Sequence, residues 1–381
     1  MAVYREQWDQ IMISFITTFI PNPRINKRIE VAKEIDDVSV ICARRKDADI
    51  YSSNFRDVKY FILDLTIPSH RSFYKRFYCF LLLYFFVSRQ LRILHPQIIH
   101  VQGLDCLFIA TLHKAFHHVS VVYEVADVRE YLYSRQTLFF PFILKRLEVF
   151  LLKFISTLIV TSELFYNDFY IKYVSSKKVI FIPNVPNLKY FSSYNKKQHR
   201  MFTIGFIGAI RYLDQLKMLI DATRSLPVKV IFSGSGISME DEKELIDYSK
   251  TSSNIEFTGK YVYKTDIAGL YEKVDCVYAV YNADNKNVQI ALPNKLYESV
   301  YCELPIIVSS NTYLGKIVSE FGVGVAVSHK SPQELHNAIE RMVSSPSYYR
   351  SIVNNCRKNK DAMLKTSSLD ELKQTFISLL H

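Results

Sequence analysis

Short apolar runs alternate with amphipathic stretches along almost the whole chain, the patterning of an α/β protein with parallel sheets. Apolar runs bounded by turn formers fit strands covered on both faces. In the first half they predict strands at 11–19 (IMISFITTF), 38–43, 60–65, 98–103 (IIHVQG), 119–125 (VSVVYEV), 157–162 and 178–184, with helices over 71–94, 105–117 and 138–156. A polar stretch without periodicity follows at 188–200 (LKYFSSYNKKQHR). Alternation then restarts, with strands at 202–210, 228–236, 255–260, 276–281, 305–310 and 324–327 and a last helix over 368–380. A chain of 381 residues suits two cores better than one. The expected layout is a doubly wound, Rossmann-like domain over 1–190, a linker at 191–200, a second such domain over 201–365, and a tail, 366–381, packing back on the first. Two such domains are expected to face each other across a cleft, with ligands at the carboxyl ends of their strands.

Composition narrows the class. With 49% hydrophobic and 22% charged residues and no low-complexity tract, the chain reads as globular. Cys42, Cys79, Cys106, Cys276, Cys302 and Cys356 are scattered without a CxxC pair, which argues against a disulfide framework or structural zinc and fits a reducing setting. The start, MAVYREQWDQ, lacks the layout of a signal peptide. The longest uncharged apolar run, 77–87 (FYCFLLLYFFV), falls short of the roughly twenty residues of a spanning helix, so no span is expected.

Charge changes the picture more. Residues 1–200 carry 28 Lys+Arg against 17 Asp+Glu, whereas residues 201–381 carry 20 of each, so the whole excess of +11 lies in the first half. That half is also rich in Phe and Tyr. The stretches 71–94 and 138–154 combine apolar centres with Arg89, Arg92, Lys145, Arg146 and Lys153. They fit helices lying in an anionic membrane interface, and they also fit core helices with snorkelling basic ends. The basic residues lie on apolar helices and not along a polar groove, so no nucleic-acid partner is expected.

The candidate chemistry concentrates in the second half. GFIGAIRYLDQLKMLIDA (205–222) is a strand, a glycine turn at Gly208, then a helix, with Arg211 and Lys217 placed to neutralise a diphosphate. FSGSG (232–236) sets Gly234 and Gly236 in a tight turn but lacks a dinucleotide fingerprint. In LPNKLYESVYCELPIIVSS (292–310), Pro293 and Asn294 open a helix whose Lys295 and Glu298 share a face. A helix N-terminus and an ammonium suit phosphate, and a carboxylate one turn on suits ribose hydroxyls. Asp47 and Asp49 form an isolated DxD without metal-site context, and His113 and His117 lack the glutamate of an HExxH site, so no metal is expected.

In order and spacing these segments resemble the donor domain of GT-B glycosyltransferases, most closely the retaining group that includes bacterial capsule, lipopolysaccharide and exopolysaccharide transferases. The resemblance covers roughly 201–330, and the first domain by plan only. It implies a nucleoside diphosphate sugar donor and no cofactor. Gly208, Arg211 and Lys217 would hold the diphosphate, Glu298 the ribose, and the segment at Lys260 and Tyr261 the base. The family's Glu-x7-Glu motif is broken, because Ile290 stands where the first glutamate belongs. In the first domain, Arg24 and Lys27 occupy the place of a loop over the diphosphate. At the family's His-Asp or His-Glu segment Ala126 replaces the histidine and Asp127 remains, with Glu130 a second choice and His100 and Gln102 weaker ones. The expected function is hexosyl transfer to a lipid-linked or polysaccharide acceptor on the cytoplasmic face of a membrane. A non-catalytic partner subunit and a nucleotide-sugar epimerase or hydrolase are the alternatives.

Overall fold

The computed structural model describes residues 12–45, 55–65, 73–129, 139–236, 238–364 and 367–380. The chain divides into two units, Met1–Pro183 with Thr366–His381, and Asn184–Lys365.

In the first unit the apolar runs become β1 (Ile13–Thr17), β2 (Val38–Arg45), β3 (Lys59–Leu65), β4 (Ile98–Gln102), β5 (Ser120–Val125), β6 (Thr157–Val160) and β7 (Val179–Phe181). They form one parallel sheet in the order β3-β2-β1-β4-β5-β6-β7. Helices α1 (Pro23–Lys33), α2 (Phe73–Leu94), α3 (Leu104–Lys114) and α4 (Phe139–Leu151) make the crossovers. Strand order reverses between β1 and β4, so the loops leaving them splay apart and open a crevice.

The second unit repeats the plan with β8 (Phe202–Ile207), β9 (Val228–Ser233), β10 (Ile255–Gly259), β11 (Cys276–Ala279), β12 (Ile306–Ser309) and β13 (Gly324–Val327). Its parallel order, β10-β9-β8-β11-β12-β13, reverses between β8 and β11. Its helices are α5 (Leu213–Thr223), α6 (Met239–Ser249), α7 (Tyr263–Tyr271), α8 (Lys286–Ile290), α9 (Asn294–Tyr301), α10 (Tyr313–Phe321), α11 (Pro332–Ser344) and α12 (Pro346–Met363). The last helix, α13 (Ser367–Leu380), buries Leu372 and Phe376 among Ile13, Phe15 and Ile98 of the first unit.

The structure differs from the sequence reading in three places. The polar stretch 188–200 opens with a 3₁₀ turn, Leu188–Phe191, and Phe191 is buried against Tyr271 and Tyr301 of the second unit. The division between units therefore precedes it, because one aromatic anchor outweighs its polar neighbours. The predicted helix 138–156 stops at Leu151, and a 3₁₀ turn, Leu152–Phe154, lets the chain enter β6. Helix α2 runs unbroken through Arg89 and Arg92, and its segment Phe77–Leu94, with mean hydropathy 1.4, is long and apolar enough to cross a membrane by length and composition. The shorter uncharged run underestimated it because two arginines do not interrupt a helix. Leu83, Val87, Leu91 and Leu94 of α2 are buried in the unit, at the i, i+3 and i, i+4 spacings of one helix face. Tyr74, Phe77, Tyr78, Phe85 and Ile93 face outward.

Candidate functional site

In the second unit the turn after β8 has been built for close approach. Gly208 sits at φ +150°, and a Cβ there would stand 2.7 Å from Nζ of Lys295. Gly234, at φ +142°, packs on the same turn, where a Cβ would fall 1.9 Å from the Gly208 carbonyl oxygen. Backbone N–H groups of Gly208 and Ile210 donate to the carbonyls of Ser233 and Ser235 at 2.8 and 2.9 Å, tying the two glycine turns together. Only glycine fits both requirements, a backbone region side chains avoid and a neighbour at van der Waals contact.

Lys295 lies in the first turn of α9, which opens at Asn294 behind Pro293 and has no side-chain cap. Its ammonium stands over the rings of Phe206, 5.2 Å, and Tyr281, 5.7 Å. Arg211 is exposed, with its guanidinium 5.3 Å from the Tyr212 ring, and Tyr212 in turn packs 5.7 Å from Tyr281. Among the described residues neither cation pairs with a carboxylate. A glycine turn, an uncapped helix N-terminus and an unneutralised ammonium converge here, and that combination binds anionic phosphate groups.

Glu298 comes one turn later on α9 and is only 3% exposed. Tyr263 donates to its Oε1 at 2.5 Å and Tyr271 to its Oε2 at 2.6 Å. Burial, with the neighbouring carboxylate second, pushes both phenols up, so they remain hydrogen-bond donors. Tyr261 is half-buried nearby, its hydroxyl raised to about 12 by burial and then by Glu298, while Lys260 is exposed.

Two expected donor contacts are otherwise engaged. Lys217 forms an ion pair with Glu244 of α6 at 2.5 Å and lies over the Tyr248 ring, so it links helices α5 and α6. The Gly236 amide donates to Oε2 of Glu242 at 2.8 Å, and a Cβ there would meet the Ser238 carbonyl, which makes this glycine a structural turn. Ile290, at 2% exposure, is part of the core.

In the first unit a cavity of about 460 Å³ opens at the carboxyl ends of β1, β4 and β5, at the point where strand order reverses. Thr18, Asn22, Gln102, Asp105, Asp127 and Arg129 contribute polar lining. Thr18 donates to Oδ2 of Asp105 at 2.8 Å. Asp127 and Ala126 both line the cavity, whereas Glu130, Asp47 and Asp49 lie outside the described residues.

Glu124, fully buried, also lines this cavity and was not anticipated. It meets Nε of Arg24 at 3.2 Å, the buried Arg28 at 3.4 Å through both Nε and Nη2, and Nε2 of His100 at 3.3 Å. Burial alone would raise its pKa, but Arg28, the His100 hydrogen bond and Arg24 together hold it below the usual carboxylate range. Arg24 is thus bound to Glu124. Lys27 is brought down to about 8, first by burial and then by Arg28, with Glu30 opposing. The sequence did carry two signals. Glu124 interrupts the apolar strand VVYEV, and Arg28 shares the apolar face of α1 with Ile25, Ile29 and Ala32. His113 and His117 stack at 4.2 Å with His95 beside them, and among the described residues no group of His, Cys, Asp or Glu is arranged to hold a metal ion.

Residues 190–359 match the family described as glycosyl transferases group 1. No curated protein matches the sequence. Among solved structures the fold is similar to sucrose-phosphate synthase from Thermosynechococcus elongatus, with TM-score 0.76 and 14% identity over 97% of this chain and 99% of that one. It is also similar to HepE of Anabaena in complex with UDP-glucose, at TM-score 0.69 and 15% identity over 97% and 99% of the two chains. A third is WaaG, a glycosyltransferase involved in lipopolysaccharide biosynthesis, at TM-score 0.70 and 13% identity over 96% and 99%. At such identities the likeness carries the fold. The family match lies on the unit that holds the glycine turns, Lys295 and Glu298. By that unit the chain is similar to the group 1 glycosyl transferases, and its fold is the GT-B fold.

Proposed function

We propose that the chain transfers a hexosyl group from a nucleoside diphosphate sugar to a lipid-linked or polysaccharide acceptor in cell-surface glycan biosynthesis, as in capsule or lipopolysaccharide assembly. It works on the cytoplasmic face of a membrane, with retention of configuration. The observation that carries the donor reading is the Lys295 ammonium at the Gly208 turn, with Arg211 exposed beside it and neither neutralised by a carboxylate among the described residues. A departing diphosphate gains charge as the glycosidic bond breaks, and fixed cations with a helix N-terminus stabilise that charge without reorganising. These side chains take the place a metal ion has in other transferases. Retention follows if the leaving diphosphate accepts the acceptor proton on the face it vacates.

The acceptor reading rests on the first unit. Its polar cavity presents Asp127, Asp105 and Gln102, groups suited to sugar hydroxyls. Outward on α2 stand Tyr74, Phe77, Tyr78 and Phe85, with Arg89 and Arg92 beyond, and on α4 Phe142 and Phe150 beside Arg146. Aromatic side chains with flanking cations favour a membrane interface that carries anionic lipid.

Calorimetric titration of UDP, GDP, CMP and ADP into the wild type and Lys295→Ala tests the donor site. HepE, solved with UDP-glucose, makes UDP the first choice. Micromolar binding of one nucleotide, weakened in the variant, supports the reading. Absence of binding to all four sinks it and favours a non-catalytic subunit.

A further inference from the structure

Glu298 is a carboxylate held from both sides by one helix. Tyr263 opens α7 and Tyr271 closes it, and each donates to a different oxygen of Glu298, at 2.5 and 2.6 Å. Tyr271 is fully buried and packs against Phe191, whereas Tyr263 is half-buried with its ring edge on Tyr190. Neither phenol can rotate freely, so the carboxylate they grip has one orientation. An ionised carboxylate offers roughly four lone-pair directions. Two phenols, one per oxygen, leave one direction on each oxygen, and two adjacent acceptors match a vicinal diol.

We propose that Tyr263 and Tyr271 are positioning residues for nucleoside recognition, holding Glu298 so that one lone pair of each oxygen meets the 2′- and 3′-hydroxyls of a ribose. This rests on the donor-site reading above and adds to it the residues that set the geometry of the contact. Because Tyr263 follows directly on the loop bearing Lys260 and Tyr261, helix α7 ties that loop to the carboxylate. Without the Tyr263 hydroxyl, Oε1 loses its anchor and the carboxylate turns about its terminal bond, so a ribose hydroxyl no longer finds a fixed acceptor.

The test compares ribo- and 2′-deoxynucleotides. UDP, GDP and ADP and their 2′-deoxy counterparts are titrated into the wild type, Tyr263→Phe and Tyr271→Phe, with thermal unfolding recorded for each. In the wild type the ribonucleotide that binds should bind about 10-fold or more tighter than its deoxy form, the worth of a hydrogen bond to a charged acceptor. In Tyr263→Phe that preference should shrink to about 3-fold or less, while affinity for the deoxy form hardly changes. A loss of fold would weaken both nucleotides alike and leave the ratio intact. An undiminished ratio in Tyr263→Phe, or tighter binding there, overturns the proposal, the latter because Tyr263 would then be occupying the ribose position. A wild type that binds a nucleotide without preferring ribose overturns it too. If no nucleotide binds the wild type, the donor-site reading itself has failed. Should Tyr271→Phe not fold, the half-buried partner Tyr263→Phe decides alone.

Discussion

At the scale of single residues, the second unit's site depends on atoms that leave no room. A Cβ at Gly234 would sit 1.9 Å from the Gly208 carbonyl oxygen, a backbone atom that cannot step aside without moving the turn against which the Lys295 ammonium lies. Gly234→Ala should therefore cost about 2–4 kcal/mol in urea unfolding of the second unit, and it should weaken nucleotide binding as well. A loss under about 0.5 kcal/mol would mean that the turn is looser than the structure has it. Lys295→Ala removes a cation without disturbing packing elsewhere. Nucleoside diphosphate affinity should fall about 10- to 100-fold, while binding of the corresponding nucleoside should change far less. In the first unit Glu124 gives a pH signature. Its carboxyl is held below its ordinary range, so its stabilising contribution is present above the unfolded pKa and is lost as pH falls toward the folded one. Between about pH 5 and pH 3 the wild type should lose stability more steeply than Glu124→Gln. Parallel curves for the two proteins would remove Glu124 from the acid response.

At the scale of elements, the sheets were legible and the side-chain partners were not. Every strand expected from an apolar run is present, because in a parallel sheet buried on both faces the run is the strand. Helix ends were less legible. Whether 152–154 continues α4 is decided by the buried Ile155 and by where Thr157 must enter β6, a long-range demand invisible in local periodicity. Gly208, Lys295 and Glu298 could be found because turn, cap and helix face lie within short motifs. Tyr263, Tyr271 and Glu124 with Arg28 could not, since their roles depend on pairing across 35, 27 and 96 positions. Helix α2 shows the same limit, for its hydropathy predicts burial or membrane contact without separating them. The structure assigns Leu83, Val87 and Leu91 to the core and leaves Phe77 and Phe85 outside, 53% and 67% exposed. Phe77→Asp with Phe85→Asp should thus leave thermal stability within about 0.5 kcal/mol of wild type. Cosedimentation with phosphatidylglycerol vesicles should fall about 10-fold or more, and wild-type binding should weaken as salt rises. Unchanged vesicle binding in the double variant would take α2 out of the interface.

At the scale of the whole molecule, the chain leaves the first unit at Pro183, builds the entire second unit, and returns at Thr366. The last helix completes a core begun by the first strand. Phe376 is fully buried, edge-on to Phe15 at 6.4 Å and to His100 at 6.3 Å, and Lys373 pairs with Glu34 across 339 positions at 2.8 Å. Such closure delays the first unit until its last residues are made, since long-range contacts must wait for the chain that supplies them. It also makes the tail a selective handle. Phe376→Ala removes a large aromatic from a packed interior and leaves a cavity, a change worth about 3–5 kcal/mol. The core residues clustered with Phe376, among them Ile13, Phe15 and Ile98, belong to the first unit. Calorimetry on the full chain should therefore show the transition of the first unit moving to lower temperature while that of the second unit holds, and nucleotide binding at the Gly208 turn should persist. If Phe376→Ala lowered both transitions together, the two units would be unfolding as one cooperative body, and the tail would be supporting the second as well as the first.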